Sequence, residues 1–182
     1  MEKILVIGGG GYVGTELISY LIKKNNFVYC VDKFIYGKNS FIKNSKKLKI
    51  LKYDISHSSL YENIPNDISS VIILAGLVGD PITKKYPDLS HKINYLAIKK
   101  IINFYKKLKV KLIFVSTCSN YGFLENKIAN EKTSLNPKSL YAKQKVKIEK
   151  YILSLRKKSK FTPTILRFST AFGVSNRPRF DL

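Results

Sequence analysis

The chain has 182 residues, 45% of them apolar, enough to bury one good core but hardly two full domains. No run reaches the roughly eighteen consecutive apolar residues that span a bilayer, and the first strand starts at residue 3, leaving no room for a signal peptide. The formal charge of +21 sets 29 lysines and only 4 arginines, spread along the whole chain, against 12 acidic residues. That reads as a solvated basic surface and not as a specific nucleic-acid site, where arginine is favoured for bidentate contacts. Cys30 and Cys118, like His57 and His91, are too few and too scattered for a disulfide framework or a metal site. The expectation is a soluble, cytoplasmic protein that binds no metal.

Ile4-Leu5-Val6-Ile7 is a short apolar run ending in Gly8-Gly9-Gly10-Gly11, followed by Tyr12-Val13-Gly14 and an amphipathic stretch over 15–22. Strand, tight turn and helix in that order are the setting in which glycines mark a dinucleotide site. A Cβ there would hold the backbone away from the pyrophosphate, whose charge sits on the helix N-terminus. Two registers fit: GxGxxG through Gly9, Gly11 and Gly14, or GxxGxxG through Gly8, Gly11 and Gly14. Spacing alone does not choose between them. Phe27–Val31 reads as a second strand closed by Asp32, 18 residues after Gly14. A carboxylate there accepts hydrogen bonds from the adenosine ribose and repels a 2′-phosphate, which favours NAD over NADP; Lys33 beside it offsets part of that repulsion.

Residues 33–47 are polar and read as a mobile loop. Leu48–Tyr53 is a third strand ended by Asp54, and Val71–Ala75 a fourth. A helix over 89–108 follows, with apolar positions at Ile93, Leu96, Ala97, Ile101 and Phe104. Lys111–Val115 is a fifth strand, 140–157 a helix, and Thr164–Phe168 a sixth strand. Six strands interleaved with helices predict an α/β fold: a Rossmann-type, doubly wound parallel sheet with helices on both faces.

Tyr141 and Lys145 form YxxxK, which sets phenol and ammonium one turn apart on a helix face. A nearby ammonium favours phenolate, so the tyrosine can exchange a proton closer to neutrality. The spacing alone says nothing, because the chain holds five such pairs: Tyr20/Lys24, Tyr29/Lys33, Tyr95/Lys99, Tyr105/Lys109 and Tyr141/Lys145. The last stands out by its place, after the hydroxyl-rich end of the fifth strand, Ser116-Thr117-Cys118-Ser119-Asn120-Tyr121-Gly122. The carboxyl ends of parallel strands are where ligands sit in open α/β sheets. A Ser or Thr there can hydrogen-bond a substrate oxygen beside the tyrosine.

The chain resembles the extended short-chain dehydrogenase/reductases, in the branch of NAD-dependent nucleotide-sugar epimerases and dehydratases. The resemblance runs almost end to end through the glycine motif, Asp32, Asp54-Ile55, Ile73-Leu74-Ala75-Gly76, Asn94, Ser116-Thr117 to Tyr121-Gly122, Pro137, Tyr141 to Lys145, Leu166-Arg167-Phe168, Phe172-Gly173 and the tail from Asn176 to Leu182. It implies the GxxGxxG register, with Gly8, Gly11 and Gly14 at the pyrophosphate and Tyr12 and Val13 supplying backbone amides. Asp32 would bind ribose, Asp54 and Ile55 would flank the adenine, and Ala75 and Gly76 would pass under the cofactor. Asn94 would help place a helix or the cofactor, or be no more than a polar helix residue. Tyr141 would be the acid/base, Lys145 would hold the nicotinamide ribose and tune the phenol, and Thr117 would hydrogen-bond the sugar oxygen. His91 and Cys118 are taken as structural.

Two departures from the family matter. The dehydratase branch carries an Asp-Glu pair after the threonine, where this chain has Cys118 and Ser119, which argues against a 4,6-dehydratase. The chain also stops at Leu182, whereas family members continue into a smaller substrate domain; 1–168 is expected to be the NAD-binding domain and 169–182 the start of the segment leading onward. The expected activity is epimerisation of a nucleotide sugar through transient oxidation to a keto intermediate. An NAD(P)-dependent reductase and an NAD-binding module without turnover stay open. The family also implies a homodimer, with the helices at 89–108 and 140–157 as its faces.

Overall fold

The computed structural model describes residues 1–35, 37, 45–108, 110–125, 128–156, 163–175 and 177. Six strands, β1 (Lys3–Ile7), β2 (Phe27–Asp32), β3 (Leu48–Lys52), β4 (Ser70–Ile73), β5 (Lys111–Thr117) and β6 (Thr164–Phe168), pair in parallel in the order β3-β2-β1-β4-β5-β6. The order reverses at β1, so the loops leaving β1 and β4 diverge and open a crevice at the carboxyl edge. This is the Rossmann-type sheet that the strand–helix alternation predicts. The fourth strand is shorter than its apolar run: the amides of Leu74 and Ala75 both donate to the Ile7 carbonyl as the chain turns away.

Both faces of the sheet are buried because apolar residues fill both parities of the inner strands. Leu5 and Ile7 face a large core with Val71, Ile73, Leu112 and Phe114, closed by α2 (Leu60–Asn63), α5 (Ile98–Lys107) and α6 (Leu140–Arg156). Ile4 and Val6 face a smaller core with Val28, Cys30 and Ile72, closed by Ile18 of α1 (Tyr12–Lys23) and by Phe34. Phe34 comes from the segment expected to be mobile; residues 36 and 38–44 of that segment lie outside the described residues. Its amide donates to Asp32 Oδ1 at 2.7 Å, a side-chain turn that holds a non-glycine residue at φ 53°.

The short helix α3 (Asp80–Lys85) was not foreseen, and α4 (Pro87–His91) starts two residues before the helix expected over 89–108; proline at the first turn of each fits its start. From α4 the chain runs through a π-helical turn, Lys92–Ala97, into α5. Leu96, expected in the core, is 44% exposed; the buried face is instead Asn94, Ile98, Ile102 and Tyr105 together with the expected Ala97 and Ile101, at ordinary helical spacing. Among the described residues no helix is long and apolar enough to cross a membrane.

Candidate active site

The glycine loop leaves β1 at the reversal point of the sheet. Gly8 has φ +88°, and a Cβ on it would lie 2.5 Å from the Ala75 nitrogen, so the loops after β1 and β4 touch backbone to backbone. A Cβ on Gly14 would lie 2.4 Å from the Gly8 carbonyl oxygen, which presses α1 against the loop. At Gly11 the same oxygen would be 3.3 Å away, with nothing else close. The helix begins at Tyr12 without a side-chain cap at Gly11, so its first-turn amides, those of Tyr12 and Val13 included, are presented to an anion.

Asp32 ends β2 beside this loop. Its carboxylate accepts the amides of Gly10 at 2.9 Å and Phe34 at 2.7 Å, which fixes its orientation. Lys33 turns away and pairs with Asp54 at 2.9 Å. Burial opposes ionisation of Asp54, but the Ser56 amide and hydroxyl and the Lys33 ammonium outweigh it and hold the carboxyl down at about 2. Ile55 is buried in the large core, so only its backbone is available to a ligand. Ala75 and Gly76 lie where the β4 loop passes the glycines. Asn94 is fully buried and grips the next residue twice: it accepts from the Leu77 amide at 2.8 Å and donates to the Leu77 carbonyl at 3.0 Å. A Cβ on Gly76 would come within 2.9 Å of Asn94 Oδ1. Asn94 therefore places the β4 loop.

Thr117 ends β5, buried, and its Oγ1 accepts the Ser119 amide at 3.2 Å. Opposite it runs the α6 face that carries Tyr141 and Lys145. Cation–ring contact does not single out this pair, since the ammonium sits 5.7 Å from the ring centroid in Tyr141/Lys145, 5.7 Å in Tyr20/Lys24 and 5.8 Å in Tyr95/Lys99. Burial does. Lys145 is 2% exposed, lies over the Phe114 ring and donates to the Val115 carbonyl at 2.8 Å. Burial lowers its pKa to about 8, against the opposing pull of Glu149. Tyr29/Lys33 spans the end of a strand, and Lys109 of the remaining pair lies outside the described residues.

Three features escaped the sequence reading. Gln144 accepts from Ser90 at 2.6 Å and from Asn94 at 3.0 Å, tying the β4 loop to α6 one residue before Lys145. Glu149 is buried behind Lys145; its only signal was the four-residue step from 141 to 145 to 149. Beyond β6 the chain doubles back onto α1: Tyr12 donates its hydroxyl to the Gly173 carbonyl at 2.6 Å, and Ser175 donates to the Tyr12 carbonyl at 2.7 Å. Of the tail, residues 176 and 178–182 lie outside the described residues.

A family model described as the NAD dependent epimerase/dehydratase family matches residues 4–181. The UDP-glucose 4-epimerase of Lactobacillus helveticus is 29% identical over 177 residues, covering 96% of this chain and 53% of that protein. A dTDP-D-glucose 4,6-dehydratase of Dictyostelium discoideum is 30% identical over 198 residues, covering 98% of this chain and 46% of its own. Among solved structures, UDP-glucuronic acid 4-epimerase from Bacillus cereus in complex with NAD superposes with a TM-score of 0.86 at 26% identity, covering 99% of this chain and 59% of that one. The chain spans about half the length of the curated relatives it matches.

Proposed function

The chain belongs to the NAD-dependent epimerase/dehydratase family, and from that premise we propose that it forms the cofactor-binding half of an epimerase-type enzyme for a nucleotide sugar. One observation carries the reading: the buried Lys145 ammonium, 5.7 Å from the Tyr141 ring, bonds the Val115 carbonyl two residues before Thr117 at the end of β5. The site fits NAD by its own geometry. The glycine cradle leaves no room for side chains at Gly8 and Gly14, uncapped amides open α1, and Asp32 is braced at the place where a ribose carboxylate belongs. The pairing of Lys33 with Asp54 leaves Asp32 to repel a 2′-phosphate, which supports NAD over NADP.

When bound, NAD would supply the hydride acceptor and then the donor. Tyr141 takes the proton of a sugar hydroxyl as its carbon is oxidised, and returns it when the keto sugar is reduced from the other face. The proton that Tyr141 takes it also returns, and a cofactor that accepted and then gave back hydride would leave no net redox change. The Lys145 ammonium stabilises the phenolate; it has three donors, of which the Val115 carbonyl takes one, leaving others for the nicotinamide ribose. Thr117 hydrogen-bonds the same sugar oxygen. Cys118 and Ser119, both exposed, offer no carboxyl pair for elimination, which favours epimerisation over dehydration. The homodimer belongs to the same proposal, through the α5–α6 side, where Leu96 and Leu153 are exposed.

The test is a calorimetric titration with NAD run beside an epimerisation assay on UDP-hexoses, using the 182-residue chain. Binding together with interconversion of epimers supports the reading; a requirement for stoichiometric NADPH replaces it with a reductase. Binding without turnover supports a second reading, a cofactor-binding module. Absence of NAD binding sinks both.

A further inference from the structure

The face of α6 that carries Tyr141 and Lys145 continues one turn further to Glu149, a carboxylate only 1% exposed. Its oxygens are fully engaged. Oε1 accepts the Ser116 hydroxyl at 2.5 Å and the Asn120 amide at 2.7 Å, and the Arg167 guanidinium of β6 reaches both oxygens, its closest approach 2.7 Å. Arg167 in turn donates to the Tyr121 hydroxyl at 2.9 Å. Asn120 also donates to Ser116 at 3.0 Å, closing the ring of bonds.

These bonds bracket Thr117. On its N-terminal side, Val115 is held by Lys145 and Ser116 by Glu149. On its C-terminal side, Asn120 is held by Glu149 directly, and Tyr121 through Arg167. Among the described residues the Thr117 side chain bonds only to nearby Ser119. Its backbone is paired with Phe168 in the β5–β6 ladder, and α6 reaches it through its neighbours on both sides. A buried ion pair is weak support for stability as such, since apolar side chains of similar volume often serve the fold as well. Directional bonds to two sides of one threonine do something an apolar filling cannot.

We propose that Glu149 is a positioning residue, which holds the Thr117 end of β5 in register with the Tyr141–Lys145 face of α6. The inference rests on the enzymatic reading above for its purpose, but its geometry can be tested without turnover. The experiment is hydrogen–deuterium exchange on the 182-residue chain, comparing wild type with Glu149→Gln paired with Arg167→Gln, so that no guanidinium is left unpaired. Amides over 116–121 should lose protection at least tenfold while those of β1 and β4 keep theirs. NAD affinity should stay within twofold, because the glycine loop is untouched. Where the wild type turns over, kcat should fall about 100-fold, the scale of a misplacement of about 1 Å, with KM little changed.

Unchanged protection over 116–121, or an equal loss across the whole sheet, would overturn the proposal. Should the double variant not fold, Ser116→Ala removes two bonds of the ring, those to Glu149 and from Asn120, without touching a charge and should produce the same local loss to a smaller degree; no loss there also overturns it. A wild type that neither binds NAD nor turns over would end the enzymatic reading, while the exchange pattern would still decide the structural one.

Discussion

Three tyrosine–lysine pairs bring the ammonium to nearly the same distance from the ring, yet only the Lys145 ammonium is taken out of water. Tyr141→Phe keeps the ring and removes the transferable proton, so NAD affinity should survive while turnover, measured in an active form of the enzyme, falls by a factor of about 10² to 10⁴. Tyr95→Phe should alter neither by more than a surface substitution does, within about 0.5 kcal/mol. Lys145 also makes a claim about stability. Its folded pKa of about 8 lies below the unfolded value, so the unfolded chain binds more protons between about 8 and 10.5, and stability rises with pH across that window. The penalty for the buried ammonium is complete below pH 8 and is on the order of 3 kcal/mol. Lys145→Met should therefore raise the urea midpoint at pH 7, with a gain that shrinks by pH 10, even as NAD affinity falls. A gap that is constant with pH would refute the assignment.

At the scale of elements, the two glycines that flank the start of α1 do different work. At Gly14 a Cβ would meet backbone atoms at 2.4 and 2.7 Å, so Gly14→Ala must displace α1 and should cost about 1–3 kcal/mol along with NAD binding. At Gly11 the nearest atom would be 3.3 Å away, so Gly11→Ala should cost under about 1 kcal/mol in thermal unfolding yet still weaken NAD, since its Cβ would stand between loop and pyrophosphate. Equal losses of stability in the two variants would contradict this division. The loop, the six strands and α1 were legible in the sequence because each is announced by neighbours a few residues apart. The buried face of the helix before β5 was not: Ile93, Leu96 and Phe104 on one stripe and Ile98, Ile102 and Tyr105 on the next both join Ala97 and Ile101 at helical spacing, so Leu96 was placed in the core and Asn94 left undecided. Glu149 with Ser116, Gln144 with Ser90 and Ser175 with Tyr12 meet across the fold from distant parts of the chain, and no local period encodes them.

Taken whole, the molecule covers its two sheet faces unequally. The face with α5 and α6 is closed, whereas over β5 and β6 the α1 face leaves Ile113 and Val115 half-buried and Leu166 and Phe168 each 37% exposed. β6 also forms the sheet's edge, with a ladder of backbone groups facing outward. The 182-residue chain should accordingly bind a hydrophobic dye and associate with rising concentration, and Leu166→Lys with Phe168→Lys should suppress both in dye fluorescence and light scattering. Scattering that stays independent of concentration in the wild type would show that this face is not sticky.

The strand order also bears on how the chain is made. β2 joins β1, β3 joins β2, and then β4, β5 and β6 extend the other side in turn. Every strand lands on an open margin as it leaves the ribosome, and none has to force its way between two that are already joined. The last of these strands to arrive brings Arg167, so over the 18 residues between the two the Glu149 carboxylate has no guanidinium to receive it. A nascent chain halted before residue 164 should seat α6 less firmly and leave it more open to protease than the full chain, because docking it would bury that carboxylate without its guanidinium partner.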